Sequence, residues 1–263
     1  MTRPAPRNAT SEEHRLFVES LLAVRGLLLD FEATLKHLAR LMNLLRTFAF
    51  LILLLPVLTW AAEEQIILDD GSSVKVFVFY PKASGEGPWP LSVLMSGGAA
   101  NEYIVRAQFW LGHELASRGW VIAVPVAPDA GGFAGRNGER IPQIIAQLQQ
   151  LPAIEVGKTL LVGVSDGGTS ALEIAGRTPG NYYGVVAVPG ILRDSSAPGD
   201  FTGLPVFLRI GENDYLRWDK QLPAIRDTLT AAGARVDARL APGASHVFPI
   251  DWDELQPWLD SLR

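Results

Sequence analysis

The chain has 263 residues, 48% of them hydrophobic, which is enough to bury one substantial core. The absence of cysteine excludes disulfides, thiolate metal sites, a cysteine nucleophile and a lipid-modified N-terminal cysteine. A net charge of −5 gives no sign of a basic nucleic-acid surface, and the sequence holds neither an internal repeat nor a low-complexity tract.

Taken in order, the first segment, 1–41, contains a stretch from Leu16 to Leu41 with amphipathic spacing. Residues 47–62 then read T-F-A-F-L-I-L-L-L-P-V-L-T-W-A-A, behind Arg40 and Arg46. This apolar run is short for a membrane span and is interrupted by Pro56. Met42-Asn43-Leu44-Leu45-Arg46 supplies a short positive leader, and Thr59 and Ala61 stand at the spacing a signal peptidase accepts. The pattern predicts a signal peptide over 42–61, synthesis starting at Met42, and export to the periplasm or beyond. Residues 1–41 would then be a spurious or dispensable extension. The alternative is an uncleaved signal anchor that holds the protein to the membrane.

The remaining residues, 62–263, read as one acidic domain. Gln65 to Leu68 and Val74 to Tyr80 are strand-like, with Asp69-Asp70-Gly71-Ser72 as the hairpin turn between them. A Gly/Pro loop from Lys82 to Pro90 leads to a buried strand, Leu91 to Met95, which ends in Ser96-Gly97-Gly98-Ala99-Ala100. One helix is expected from Tyr103 to Ser117, closed by Gly119, followed by a strand from Trp120 to Val124. Pro125 to Gly138 is a long loop, and Ile141 to Leu151 a further helix. Beyond a strand and helix around Thr159 to Leu172 come strands at Tyr183 to Val188 and Val206 to Ile210. Lys220 to Ala232 is helical, Val236, Ala238 and Leu240 mark the last strand, and Asp251 caps a closing helix carrying Trp252, Leu255, Trp258 and Leu259 on one face. Strands and helices alternating at this spacing predict an α/β domain: a doubly wound, mostly parallel sheet with helices on both faces. Right-handed crossovers gather the strand-end loops on one edge of such a sheet. No connection is long enough to hold a separate cap domain.

The chemistry centres on Thr159 to Ser170, T-L-L-V-G-V-S-D-G-G-T-S. An apolar strand runs into Gly163-Val164-Ser165-Asp166-Gly167 and then into a helix-compatible segment, the context in which G-x-S-x-G forms a nucleophile elbow. Residues two before and two after the serine must be small, because strand and helix crowd there. Ser165 is therefore the candidate nucleophile. A serine hydroxyl needs a base, and the base an orienting acid. Of the four histidines, His14 and His37 lie upstream of the expected cleavage, and His113 sits within a predicted helix. His246, in the loop between the last strand and the last helix, is the candidate base. Asp214 in Gly211-Glu212-Asn213-Asp214 follows a strand that ends at the same edge and is the candidate acid; Asp194, Asp200 and Glu212 are the reserves. Asp166 opens the elbow helix, where a negative charge is favoured by the macrodipole, so its side chain is expected to point away from the serine.

These motifs, in the order Ser, Asp, His and at these strand ends, resemble the α/β-hydrolase superfamily, and within it the small lidless carboxylesterases, thioesterases and dienelactone-hydrolase-like enzymes. The resemblance covers essentially all of 64–263 and implies that 62–263 is a catalytic domain that hydrolyses carboxylic or thio esters through an acyl-enzyme, with no metal or organic cofactor. Its partner would be a small-molecule ester, with no nucleic acid and no metal; the oligomeric state stays open. Where many members carry His-Gly-Gly after the third strand, this chain has Ser96-Gly97-Gly98. The implied oxyanion hole is the backbone N–H of Gly98 and of Asp166, with Ala99 in reserve for the first. Tyr103, Phe133, Tyr215, Trp218 and Phe248 fall near the expected site edge and point to an apolar acyl or alcohol pocket. A serine peptidase or amidase of the same fold, and a non-catalytic binding protein built on it, are the competing readings.

Overall fold

The computed structural model describes residues 62–82 and 87–263; the expected signal peptide and the 1–41 extension lie outside the described residues, as do residues 83–86 of the first Gly/Pro loop. Strands β1 (Ala62–Ile67) and β2 (Ser73–Phe79) form the expected hairpin. Its turn is closed by the Ser72 N–H donating to Asp70 Oδ1 at 2.9 Å, with Gly71 at φ 76°. There follow β3 (Leu91–Met95), β4 (Val121–Pro125), β5 (Thr159–Gly163), β6 (Tyr182–Ala187), β7 (Pro205–Gly211) and β8 (Arg235–Ala241). They make one sheet in the order β1-β2-β4-β3-β5-β6-β7-β8. β1 and β2 enter antiparallel, and every pairing from β4 through β8 is parallel.

The parallel strands β3, β4, β5 and β7 are buried at every residue, which is why they read as continuous apolar runs rather than as alternations. In β2 the alternation survives: Val74, Val76 and Val78 pack into one core, Phe77 and Phe79 into the other. The first core is closed by α4 (Ile141–Leu148), α5 (Asp166–Ala175) and α6 (Leu222–Ala231), through Ile144, Leu172 and Leu229 among others. The second is closed by α2 (Phe109–Ala116) and α7 (Trp252–Asp260), through Leu111, Leu115, Leu255 and Leu259. Each fully buried leucine contributes roughly 1.5–3 kcal/mol relative to exposure. Helices thus cover both faces, and none of the described connections holds a separate domain.

The structure differs from the sequence expectation in two places. The single helix expected from Tyr103 to Ser117 is split into α1 (Glu102–Ala107) and α2, with Gln108 between them at φ −105°, ψ 9°. That departure from helical geometry lets the Gln108 side chain accept from the Gly97 N–H at 3.3 Å, tying the helix pair to the turn after β3. The long loop after β4 also contains a short helix, α3 (Arg136–Glu139).

Because β3, β5, β7 and β8 run parallel, their C-terminal ends share one edge of the sheet. The last of these strands returns to the second core through α7, whose N-cap is Asp251, accepting from the N–H of Asp253 at 2.9 Å and of Glu254 at 3.4 Å. Asp251→Ala is expected to lower stability by about 1 kcal/mol. Urea unfolding should show a lower midpoint with an unchanged slope; an unaltered midpoint would mean that the cap is replaced by water at no cost.

Candidate active site

The elbow follows from backbone crowding at the end of β5. The Val164 N–H continues the ladder with β3 by donating to Met95 O at 3.1 Å, and the chain then reverses into α5 within a single residue. That residue is Ser165, held at φ 56°, ψ −119°. A non-glycine residue in this region costs roughly 1–3 kcal/mol, which the surrounding packing must offset. A methyl group on Gly163 would collide with the carbonyl of Gly167, and one on Gly167 with the carbonyl of Met95. The small residues on either side of the serine are thus a steric requirement of this turn.

Ser165 occupies the N-cap position of α5 but makes no side-chain cap bond. A serine there ordinarily accepts from the second or third helical N–H. Its Oγ lies instead 2.7 Å from His246 Nε2. His246 Nδ1 is 2.8 Å from Asp214 Oδ2, and the other oxygen of that carboxylate accepts from the Leu216 N–H at 2.7 Å. Both partners are deeply buried: the histidine side chain is 4% exposed and the aspartate 0%. A carboxylate can only accept, so the Nδ1 proton faces Asp214 and Nε2 is left with a lone pair toward the serine hydroxyl.

Asp214 and His246 are brought together by their loops before their side chains meet. Gly211, the last residue of β7, packs directly under the backbone of the His246 loop, where a methyl group would collide with the Ser245 carbonyl. The Glu212 N–H donates to Ala241 O at 3.0 Å and the Asn213 N–H to Ala244 O at 2.8 Å. Glu212, a reserve candidate for the acid, is used here as well: its Oε2 accepts from the Gly243 N–H at 2.8 Å. The other reserves are turned inward on their own turns. Asp194 accepts from the N–H and hydroxyl of Ser196, and Asp200 from those of Thr202; these bonds, the hydroxyl first, hold both carboxyls below their ordinary range. His113 is exposed on α2 with its ring 4.6 Å, edge-on, from Phe79.

The turn after β3 abuts the elbow. A Cβ on Gly97 would lie 2.9 Å from Val164 O and 3.1 Å from Ser165 Cβ, so the two backbones are in contact. Gly98 sits at φ 58°, and the Ala100 N–H closes the turn on Gly97 O at 3.3 Å. Among the described residues, the N–H groups of Gly98, Ala99 and Asp166 donate to no protein acceptor. The loop after β4 is strapped to this turn by the Gly132 N–H donating to Ala99 O at 3.2 Å. Buried Asn137 holds that loop in turn, its Nδ2 donating to Gly132 O at 2.9 Å and to Asp129 Oδ1 at 2.6 Å. The Asp166 side chain is paired with Arg193, and its Oδ2 lies so close to Gly132 that a Cβ there would stand 2.8 Å from it.

The five expected pocket residues scatter. Tyr215 and Trp218 lie against the His246 imidazole, with ring centroids at 5.2 Å and 4.9 Å. Phe133 is folded into the first core, where it is 3% exposed, on the loop whose Gly132 N–H is strapped to Ala99 O. Tyr103 projects into solvent from α1 at 81% exposure. Phe248 lines a cleft together with Phe207, Arg209 and Ile250, and Ser165 is not part of that lining. Among the described residues, no group of three or more His, Asp or Glu side chains is placed to hold a metal ion.

No family model and no curated protein matches the chain. Solved structures do. Esterase 2 of Thermogutta terrifontis phosphorylated by paraoxon superposes with a TM-score of 0.58 at 16% identity, over 78% of this chain and 93% of that one. Its propionate-bound form gives 0.57 at 14% identity, over 79% and 92%. A thermostable esterase gives 0.52 at 15% identity, over 70% of this chain and 55% of its own length. With the sheet order and the elbow described above, these likenesses define the chain as an α/β-hydrolase fold.

Gly211→Ala is expected to push the His246 loop off β7. A crystal structure of the variant should show Ser165 Oγ and His246 Nε2 beyond hydrogen-bond distance, with a lowered Tm. An unmoved loop would mean that the contact is absorbed by β7 instead.

Proposed function

We propose that the protein is a serine hydrolase that cleaves carboxylic or thio esters through an acyl-enzyme. The observation that carries this reading is the continuous chain from Ser165 Oγ through His246 to Asp214, at 2.7 Å and 2.8 Å, hung on a strained elbow. His246 Nε2 takes the Ser165 proton as Oγ attacks the acyl carbon. Asp214 keeps the imidazole in the required tautomer and stabilises the imidazolium that forms. The tetrahedral oxyanion is received by the N–H groups of Gly98 and Asp166, each worth about 3–4 kcal/mol in comparable sites. His246 then passes the proton to the leaving oxygen or sulfur, and water, activated by the same nitrogen, releases the acid and restores Ser165.

The named neighbours support the ester as substrate: the Thermogutta terrifontis enzyme is an esterase, solved after phosphorylation by paraoxon and with propionate or butyrate bound. The decisive assay is labelling by a fluorophosphonate together with turnover of p-nitrophenyl esters of increasing chain length, set against matched amides. Ser165→Ala should lose both labelling and turnover while staying folded. His246→Ala should cost nearly as much as the Ser165/His246 double variant, because the groups act as a unit. Asp214→Asn should cost about four orders of magnitude in kcat through the wrong tautomer, whereas Asp194→Asn should cost little. Turnover should fall on acidification, since a protonated imidazole has no lone pair for the serine proton. Normal ester turnover by Ser165→Ala would end this reading, and amide turnover exceeding ester turnover would make the protein an amidase.

We also propose that the domain is exported. The basis is the leader pattern of 42–61 in the sequence, with its positive start, apolar run and small residues before Ala62. Expressed in a bacterium from Met42, the protein should be recovered outside the cytoplasm with a new N-terminus at Ala62. Recovery in the membrane fraction with Met42 retained would make the segment an anchor.

A further inference from the structure

His246 is 3% exposed although its Nε2 faces a serine that substrate must reach. Two aromatic rings cover it, and they differ in kind. Trp218 meets the imidazole edge-on at 80° and is half-buried against the first core. Tyr215 meets it at 57° and leaves 70% of its own surface in water. Two further exposed apolar side chains stand on the same two loops: Leu216, 48% exposed and next in the chain to Tyr215, and Val247, 57% exposed and next to His246. Scattered exposed apolar residues are ordinary on a protein surface. Three of them on the two loops that hold one buried imidazole form a local surface with a defined neighbour.

The reaction chemistry says which part of a substrate meets that surface. The leaving oxygen must come within about 2.6–3.2 Å of His246 Nε2, because that nitrogen returns the proton to it. The carbonyl oxygen goes the other way, to the turn at Gly98, whose neighbour Gly97 packs so close to the elbow that a Cβ on it would lie 3.1 Å from Ser165 Cβ. Whatever the leaving oxygen carries therefore emerges beside the imidazole and its outer cover. We infer that Tyr215 is a specificity-determining residue for the alcohol half of the ester, favouring a flat apolar alcohol over a small alkyl one. This rests on the serine-esterase reading above. The exposed ring loses water when a second flat ring lies on it, and aromatic pairs gain beyond the area they bury.

The test uses the acetates of benzyl alcohol and of ethanol, whose leaving groups are similar in basicity, so that their ratio of kcat/KM reports contact rather than intrinsic reactivity. Tyr215→Ala should lower the benzyl-to-ethyl ratio about tenfold, the loss expected for one aromatic contact. Tyr215→Phe should keep the ratio, since the ring and not the hydroxyl makes the contact. The acyl-length profile measured on ethyl esters should keep its shape in Tyr215→Ala. An unchanged benzyl-to-ethyl ratio would overturn the inference while leaving the esterase reading intact, and so would an equal loss on both esters, which would make Tyr215 mere packing for His246. If the wild-type chain hydrolyses neither acetate and takes no fluorophosphonate, the esterase reading fails and this inference falls with it.

Discussion

Backbone crowding at the C-terminal edge of the parallel sheet is the constraint from which the site follows. At the end of β5, Gly163 and Gly167 leave no room for a side chain, so the chain must turn through Ser165 in a conformation that serine adopts only under compulsion. At the end of β7, Gly211 lets the Ser245 backbone close down on it, and the hydrogen bonds from Glu212 and Asn213 lock the two loops together. The short contacts among Ser165, His246 and Asp214 are the outcome of these two closures. The side chains finish an arrangement that the main chain has already imposed.

Burial then gives that arrangement its electrostatic character. Asp214 and His246 are shut away from water, and the lone pairs of the carboxylate are taken up by the imidazole and by the Leu216 N–H. Charges held in such surroundings interact more strongly than in water and need little reorganisation when a proton moves. On the opposite flank of Ser165, the turn after β3 is held through Gly97 by Gln108 and through Ala99 by the loop that Asn137 braces. Free backbone N–H groups of Gly98 and Asp166 are thereby presented beside the serine without a mobile element having to fold over them.

Much of this was legible in the sequence because its causes are local. Gly163-Val164-Ser165-Asp166-Gly167 between an apolar strand and a helix carries its geometry within a dozen residues, and the fully buried strands announce themselves as apolar runs. Elements whose fate depends on contacts with other elements were not legible. Apolar spacing runs straight through Gln108, and only the turn after β3, folded back against it, explains why the helix breaks there. Phe133 and Phe248 look like pocket residues by position. The first is drawn into the core by a loop strapped to Ala99, and the second lines a cleft shared with Phe207. Gly211 reads as an ordinary strand end, and its role appears only once the His246 loop is in place.

The sheet order sets Ser165 and His246 apart in a way that bears on how such a protein changes over generations. Between β5 and β8 lie β6 and β7, three strand spacings or about 14 Å in all. Ser165 is fixed at the middle of the sheet, where nearly any substitution nearby meets main chain. His246 reaches back from the outermost strand on a loop whose exposed residues, Val247 among them, touch few neighbours. Heritable variation can therefore accumulate along the edge that carries His246 while the centre that carries Ser165 stays constant. For the hydrolase proposed above, new substrate preferences would be expected to arise from β8 and the loops beside it, with the elbow passing unaltered from one descendant to the next.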